Sequence, residues 1–371
     1  MKKIKVIHFI SGLKAGGVES MIINFAKLLQ DYFEFTVVYQ HKPDEKCYQK
    51  MVDAGCKLKR IPSKSKHPFK NIKEINKIFK KEKYDIVHSH MNLTCWIPLM
   101  IARFNGIKNR VSHSHIAKNE GSGIKYKVFA NVSKFLVKAS ANYYCACGED
   151  AATYMYGTGF KEDKKHYIIH NAVNIDDFKF TEKVRDDYRK EMKLEDKYVV
   201  GHIGRFTEQK NHKFLIDIFE GVSQRIDNAV LLLIGTGELY DEVYDYVKLK
   251  KLDDKVIFMG SRNDVCNIIQ AMDVFILPSL YEGLPVVSIE AQASGVSCLF
   301  ADTIDKKCKL IENADFLPID KGVGVWVDRI MDCRNRKLDR NSVGKQVRDA
   351  GYDINKEVLK LKKMYFQIIQ R

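Results

Sequence analysis

The chain has 371 residues, of which 45% are hydrophobic and 29% are charged, and its formal net charge at pH 7 is +15. This length predicts two domains, and this composition is typical of a soluble globular protein. No apolar run approaches the roughly 20 residues that a helix needs to span a bilayer, which excludes a helical membrane-spanning protein. The nine cysteines are scattered without a CxxC pair, so we expect neither a disulfide framework nor a zinc site. This pattern is typical of a protein in a reducing cytoplasm.

The first half of the chain carries the whole charge imbalance. Residues 1–180 hold 31 Lys and Arg against 16 Asp and Glu, whereas residues 181–371 hold 31 of each kind. The densest part, residues 57–83, has eleven Lys and Arg, opposed only by Glu74 and Glu82. Such a patch is typical of proteins that bind an anionic membrane or nucleic acid, and also of a solvated lysine-rich face.

Predicted strands and helices alternate along the first half, which is the pattern of a parallel sheet covered on both faces. We predict strands at 4–10, 35–39, 86–88 and 111–114, and helices at 20–29, 72–80 and about 125–139. The basic N-terminus leads through a short apolar run straight into a glycine turn. We therefore interpret this run as the first strand rather than as a signal peptide.

A second alternating series begins near Tyr198. Its predicted strands have the sequences VVGHIG, AVLLLIG, VIFMG, VFILPS and VSCLF. We therefore predict an α/β protein with two domains and a cleft between them. The first domain is expected at 1–180, the second at 181–354, and a final helix at 355–371.

The turn after the first strand, ISGLKAGGVESMIINF, contains Gly12, Gly16 and Gly17. Glycine lets the backbone approach a ligand closely and adopt positive φ, so this turn is a candidate ligand site. The spacing is not GxGxxG, and it therefore does not favour a dinucleotide site. A turn that only needs flexible residues is the alternative.

Two glutamates lie eight positions apart in the segment YEGLPVVSIEAQASG, residues 281–295. We place Glu282 in the loop after the buried strand VFILPS, and Glu290 in the following helix, which Pro285 begins and Gly295 ends. In open α/β sheets, ligands bind at the carboxyl ends of strands, next to helix N-termini. The segment therefore predicts a ligand site, and an ordinary connection with two solvated glutamates is the alternative.

This Glu-x7-Glu spacing with its internal GLP, and the segment IGRFTEQKN, resemble the sequences of retaining GT-B glycosyltransferases of family 4. The resemblance covers nearly the whole chain and is strongest to bacterial enzymes that build capsular or extracellular polysaccharide. It implies two Rossmann-like domains with parallel sheets that face a central cleft, with the final helix packing back on the first domain. It also implies hexosyl transfer, with retention of the anomeric configuration, from a nucleotide sugar, expected to be a UDP-sugar, to a hydroxyl of a lipid-linked saccharide.

The same resemblance implies where the enzyme works. The first domain would bind the acceptor and dock on an anionic membrane surface through its basic side, while the second domain would bind the donor. We therefore expect a cytoplasmic protein that is peripheral on the inner face of the cell membrane. Nucleic acid is not an expected partner.

The donor's diphosphate needs positive charge, of which a helix N-terminus supplies only about half a unit. No Asp-x-Asp pair occurs in the chain, so no metal ligands of that kind are visible. Arg205 and Lys210, in HIGRFTEQKNH, lie in the loop after the first strand of the second domain, and can supply the missing charge. They resemble the family's pair that stabilises the departing diphosphate. We expect no metal and no cofactor.

The resemblance also assigns roles to single residues. Two His-x-His pairs end predicted strands, and it implies that one histidine of the second pair contacts the donor; we assign this role to His115, with His113 as the alternative. It implies that Glu282 contacts the donor sugar and Glu290 the ribose hydroxyls. Asn171 matches the family's hinge segment, although Ala172 replaces the usual glycine. The backbone contacts to sugar and diphosphate are expected from Gly16, Gly17, Gly283 and Leu284.

Two other functions remain open from the sequence. A sugar-nucleotide epimerase on a GT-B-like fold would turn over the donor without an acceptor and would not need the basic patch. A non-catalytic protein that binds polyanions would use the first domain alone. The ordered set of Arg205, Lys210, Glu282 and Glu290 in the neutral half argues against the second alternative.

Overall fold

The computed structural model describes residues 2–14, 16–116, 121, 123–336 and 339–370. The chain forms two compact units. The first comprises residues 1–171 together with 354–371, and the second comprises residues 172–353. Within the described residues, no helix is both long and apolar enough to cross a bilayer.

A seven-stranded parallel sheet forms the centre of the first unit, in the order β3-β2-β1-β4-β5-β6-β7. Its strands are β1 (Ile4–Phe9), β2 (Phe33–Tyr39), β3 (Lys57–Arg60), β4 (Ile86–Ser89), β5 (Asn109–Ser114), β6 (Tyr143–Ala146) and β7 (His166–Ile168). The helices between them are α1 (Gly17–Leu29), α2 (Glu45–Asp53), α3 (Pro68–Lys81), α4 (Trp96–Phe104), α5 (Ile124–Ser140) and α6 (Glu149–Tyr156). β4 is buried at every position and β1 over its last four residues, as expected of a parallel sheet covered by helices.

The second unit contains a six-stranded parallel sheet in the order β10-β9-β8-β11-β12-β13. Its strands are β8 (Tyr198–Ile203), β9 (Ala229–Ile234), β10 (Val256–Gly260), β11 (Val274–Leu277), β12 (Ser297–Ala301) and β13 (Ala314–Leu317). Its helices are α7 (Glu182–Glu191), α8 (His212–Ser223), α9 (Tyr240–Leu249), α10 (Val265–Ala271), α11 (Val286–Ala293), α12 (Val323–Asn335) and α13 (Val343–Asp349). Because β8 pairs with β9 on one side and β11 on the other, the strand order reverses beside β8, and ligands of such sheets bind at that point.

The final helix, α14 (Ile354–Ile369), belongs to the first unit. Its Tyr365 is fully buried and packs edge-on against the ring of Phe33, with 5.3 Å between ring centres. The hydroxyl of Tyr365 shares a hydrogen bond of 2.6 Å with His88 Nδ1. Glu357 is also buried and accepts a hydrogen bond from the backbone N–H of His170. These contacts fix the helix against the first unit.

The predicted α/β class with two parallel sheets is confirmed, whereas some local expectations are wrong. The strands β3, β6, β7 and β13 were not predicted; β3 has the polar sequence KLKR, and β7 has only three residues. Pro285 is the residue before α11 rather than its first helical residue, with φ −70° and ψ 128°. Gly295 has the expected left-handed backbone, with φ +70°.

Candidate functional site

The loops that follow β8 and β11 are joined where the strand order of the second sheet reverses. The backbone N–H of Leu280 donates to the Gln209 carbonyl at 2.8 Å, and Gln209 Nε2 donates to the Tyr281 carbonyl at 2.8 Å. Asn211 adds a third hydrogen bond, from Nδ2 to the Pro278 carbonyl at 3.2 Å. The two loops therefore have a fixed relative position.

Lys210 and Glu282 form an ion pair across these two loops, with 2.5 Å between Lys210 Nζ and Glu282 Oε1. Their side chains are only 14% and 12% exposed, so solvent screens the pair less than it screens a surface ion pair. The backbone of Glu282 is also held, by a bridge to Ile304 beyond β12. An ammonium has three donors, so an oxygen of a ligand phosphate can bind Lys210 while Glu282 retains its own contact.

Arg205 lies in the same loop as Lys210 and is exposed. The residue before it, Gly204, donates its backbone N–H to the Ile234 carbonyl at 3.0 Å, and a Cβ at Gly204 would lie 3.2 Å from Lys210 Cδ. Gly235 packs against this turn so closely that a Cβ there would lie 2.0 Å from the Gly204 oxygen. The end of β9 thus supports the backbone from which Arg205 extends.

The segment between β11 and α11 places the remaining donor-site candidates. Gly283 is exposed, Leu284 is half-buried against the core, and Glu290 is half-buried on α11, about one turn after the helix begins. The Cys308 thiol donates to the Gly283 carbonyl at 3.3 Å, which ties this segment to the residues after β12. The structure therefore brings Lys210 and Glu282 into contact and places the other candidates of the second unit in the two loops around them or at the start of α11.

Five histidines meet at the carboxyl ends of the adjacent strands β1, β4 and β5 in the first unit. Hydrogen bonds join His8 Nδ1 to His90 Nε2 at 2.9 Å, His90 Nδ1 to His115 Nε2 at 3.0 Å, and His88 Nε2 to His113 Nδ1 at 3.1 Å. Burial lowers the pKa of His8 and His115 to about 3, and lowers the pKa of the other three well below the usual value. All five rings are therefore neutral near pH 7.

The two candidates for the donor-contacting histidine differ in exposure within this cluster. His113 is fully buried, whereas His115 is partly exposed. The backbone N–H of His115 donates to Asn92 Oδ1 at 2.9 Å, which fixes its position beyond the end of β5. His8 was not predicted from the sequence as part of this histidine cluster, because it joins the cluster only through the strand order that makes β1 a neighbour of β4.

Gly16 and Gly17 lie at the start of α1, and Asn171 lies in the loop after β7. Gly16 precedes α1 with φ −164°, an extended backbone that any residue adopts, and Gly17 begins the helix. The positive φ expected for this glycine turn is therefore wrong for Gly12, Gly16 and Gly17. Asn171 is the last residue before the second unit, and its buried Oδ1 has no hydrogen-bond partner among the described residues.

A basic cavity of about 610 Å³ lies at the carboxyl ends of β2 and β3. It is lined by Gln40, His41, Lys42, Arg60, Ile61, Pro62, Ser63, Lys66 and His67, with no carboxylate among them. Beside it, Lys64 Nζ donates to Thr94 Oγ1 at 2.8 Å, and burial lowers the pKa of Lys64. A cavity with this lining favours an anionic ligand.

Comparison with known proteins identifies the family. Residues 15–177 match the family model described as Glycosyltransferase Family 4, and residues 183–348 match the model described as Glycosyl transferases group 1. The chain belongs to the family 4 glycosyltransferases. This glycosyltransferase is 28% identical to the putative glycosyltransferase EpsF of Bacillus subtilis, over 97% of this chain and 96% of that protein.

A second relative has a more specific name. The UDP-Gal:alpha-D-GlcNAc-diphosphoundecaprenol alpha-1,3-galactosyltransferase of Escherichia coli is 25% identical to the glycosyltransferase, over 99% of this chain and 98% of that protein. Among solved structures, HepE of Anabaena in complex with UDP superimposes with a TM-score of 0.78 at 18% identity, over 97% of this chain and 99% of that chain. The predicted GT-B fold is thereby confirmed.

Proposed function

We propose that this glycosyltransferase transfers a sugar from a UDP-sugar to a hydroxyl of a lipid-linked saccharide, with retention, in the synthesis of a capsular or other surface polysaccharide. The observation that carries this proposal is the Lys210–Glu282 ion pair where the strand order of the second sheet reverses. The Escherichia coli relative supports the choice of substrates, because its name gives a UDP-sugar donor and a diphosphoundecaprenol-linked acceptor.

The chemistry follows from where negative charge develops. The bond between the sugar's anomeric carbon and the donor diphosphate breaks, and the acceptor oxygen bonds to the same face of that carbon. The acceptor's proton passes to an oxygen of the leaving diphosphate. Lys210 and Arg205 stabilise the charge that builds on this group, and preorganised cations in a poorly solvated site are effective at doing so. Transfer in this scheme does not require a metal ion.

Glu282 has two tasks in this scheme. Its contact with Lys210 fixes the ammonium, and its remaining acceptor capacity suits the hydroxyls of the donor sugar. Glu290, on α11, accepts from the ribose hydroxyls, and the backbone of Gly283 and Leu284 contacts the sugar and diphosphate. In the first unit, His115 contacts the donor as a neutral imidazole, and Gly16, Gly17 and Asn171 complete the binding residues.

A nucleotide binding experiment tests the donor part of the proposal. We expect UDP to raise the melting temperature more than GDP, ADP or CMP, equally in EDTA and in magnesium, since UDP at 100 times its dissociation constant stabilises a fold by about 2.7 kcal/mol. Lys210→Met should abolish the UDP shift, whereas Lys213→Met should retain it, because Lys213 is exposed and pairs with Glu242. A shift that requires magnesium would contradict the metal-free donor site.

The basic cavity of the first unit suits the acceptor's diphosphate. Lys42, Arg60 and Lys66 supply three cations to its wall, and none of them takes part in an ion pair described in the structure. By contrast, Lys57 and Lys59 on β3 are already paired with Glu34 and Glu82. The positive charge available to an anionic acceptor is thus concentrated at the carboxyl end of β3.

The first unit also has an apolar surface that suits a bilayer. The α5 residues Ile124, Val128, Val132 and Phe135 recur at helical spacing and are 81%, 57%, 52% and 71% exposed. Lysines lie among them along the helix, at 125, 127, 134 and 138. Apolar side chains that insert below the headgroups, together with lysines that meet anionic lipids, are characteristic of peripheral membrane proteins.

We expect the protein to sediment with anionic vesicles at low salt and less so at high salt, since each lysine near the surface contributes about 1 kcal/mol that salt screens. Phe135→Ser should weaken binding at every salt concentration by about tenfold or more, because burying a phenylalanine contributes about 1.5–3 kcal/mol. Leu249→Ser is the matched control, since Leu249 is 76% exposed in the second unit. Protein that stays in the supernatant at low salt would contradict the membrane proposal.

A further inference from the structure

The histidine cluster contains more imidazole nitrogens than its hydrogen bonds use. His8 Nε2, His113 Nε2 and His115 Nδ1 are buried and have no hydrogen-bond partner among the described residues. A buried polar atom without a partner is costly, so a ligand that accepts the lone pair of such a nitrogen would stabilise the structure. Neutral imidazole nitrogen is a common ligand of transition-metal ions.

Three groups of side chains in the described structure place ligand atoms within 4.8 Å of one another: His8, His88 and His90; His88, His113 and Cys145; and His90, His113 and His115. The first two groups are wholly buried. The third group includes His115, which is partly exposed. Among these groups in the described part of the chain, the third is therefore the one with a side chain that reaches solvent.

The geometry of this third group is set by the strands. β4 and β5 pair with His88 opposite Val111, and the same register continued by two residues brings His90 opposite His113. His90 Nδ1 and His115 Nε2 are 3.0 Å apart. Two nitrogens bound tetrahedrally to zinc at about 2.0–2.1 Å lie roughly 3.3 Å apart, so only a small opening is needed to replace the shared hydrogen by an ion.

We propose that His90, His113 and His115 bind a divalent transition-metal ion such as Zn²⁺ through three imidazole nitrogens, with a fourth position open to water. The second nitrogen of His90 is hydrogen-bonded to His8, and histidines that bind metals usually make such a bond with their other nitrogen.

Such a site has a consequence for transfer that rests on the proposed function. If His115 contacts the donor, a bound ion occupies that ring and slows transfer. Zn²⁺ is then an inhibitor of an enzyme whose chemistry needs no metal, and EDTA restores the activity. Metal binding itself does not depend on the role of His115 in transfer.

The test uses full-length protein without a histidine tag, freed of metal with EDTA. Titration with Co²⁺ should give the absorption bands of a tetrahedral nitrogen site at one equivalent, and Zn²⁺ should displace it, while Mg²⁺, a hard cation, should not bind. His115→Gln and His90→Gln should each weaken Co²⁺ and Zn²⁺ binding by about 100-fold or more. His41→Gln is the matched control, because His41 is exposed and outside the three groups.

Melting temperatures of the metal-free variants show whether they are folded, and His115→Gln is the principal variant because His115 is the least buried member. Absence of Co²⁺ and Zn²⁺ binding, or binding that both variants retain, would overturn the site. If His115→Gln abolishes metal binding, the metal site is supported. If Zn²⁺ then binds the parent protein without slowing transfer, the proposed inhibition and the donor role of His115 are overturned.

Discussion

Lys210→Met is expected to lower kcat for sugar transfer by about 10²–10³-fold, the usual loss when one preorganised group that stabilises developing negative charge is removed. Lys210 is mostly shielded from solvent and is held by Glu282, so its charge is positioned before the donor diphosphate leaves. The measurement is kcat and KM with donor and acceptor at saturating and limiting concentrations. A loss confined to KM would mean that Lys210 binds the ground state and transition state equally.

Removal of Lys210 also leaves Glu282 without its partner, which can reduce stability. The single variant combines two effects: the site loses the Lys210 charge, and the Glu282 carboxylate is left unpaired. The double variant Lys210→Met, Glu282→Gln distinguishes them because it removes both charges with little change in volume. If the single variant is slow only because it is destabilised, the double variant should regain both stability and activity. We expect it to regain stability in urea and to remain inactive; transfer within twofold of the parent in either variant would refute the assigned role of the pair.

Asp273→Asn is expected to destabilise the second unit by about 3 kcal/mol. This value is the lower end of the cost of breaking a buried ion pair, and we choose it because the Asp273 side chain is still 20% exposed. Asp273 immediately precedes β11 and pairs with Arg185 and Arg189. Its Oδ2 also accepts the backbone N–H of Val199 in β8 at 2.7 Å. It therefore joins the two strands whose opposite ends carry the Lys210–Glu282 pair.

This loss of stability can be measured by urea unfolding, with the fluorescence of Trp326 as the signal. Trp96 lies in the first unit and Trp326 in the second, so a Trp96→Phe background makes the signal report on the second unit. The matched control is Asp328→Asn. Asp328 pairs with Arg225 on the surface, with side chains 68% and 50% exposed, and a pair of this kind contributes at most about 1 kcal/mol. Equal effects of the two substitutions would show that Asp273 does not organise β8 and β11.

Much of the second unit was predictable because its strands are short, continuous apolar runs. β9 and β11 are buried at every position, and runs of this kind read as strands of a parallel sheet. The edge strand β3 of the first sheet was not predictable by the same criterion. β3 has no fully buried residue, so neither apolar content nor alternation marks it as a strand.

The contact between Lys210 and Glu282 illustrates what the sequence does not determine. Each residue was a candidate from its own motif, but their pairing depends on β11 lying beside β8 although two strands intervene in the chain. The histidine cluster has the same origin. Two His-x-His pairs are visible in the sequence, yet His8 joins them only because β1 lies beside β4 in the folded sheet.

Sugar transfer can be measured in EDTA with a panel of UDP-sugars and a synthetic saccharide linked through a diphosphate to a polyprenol. We expect one UDP-sugar to release UDP only when this acceptor is present, and NMR of the product to show the donor's anomeric configuration. Conversion of the UDP-sugar to an isomer without acceptor, or transfer only after a divalent metal is added, would contradict the proposed function.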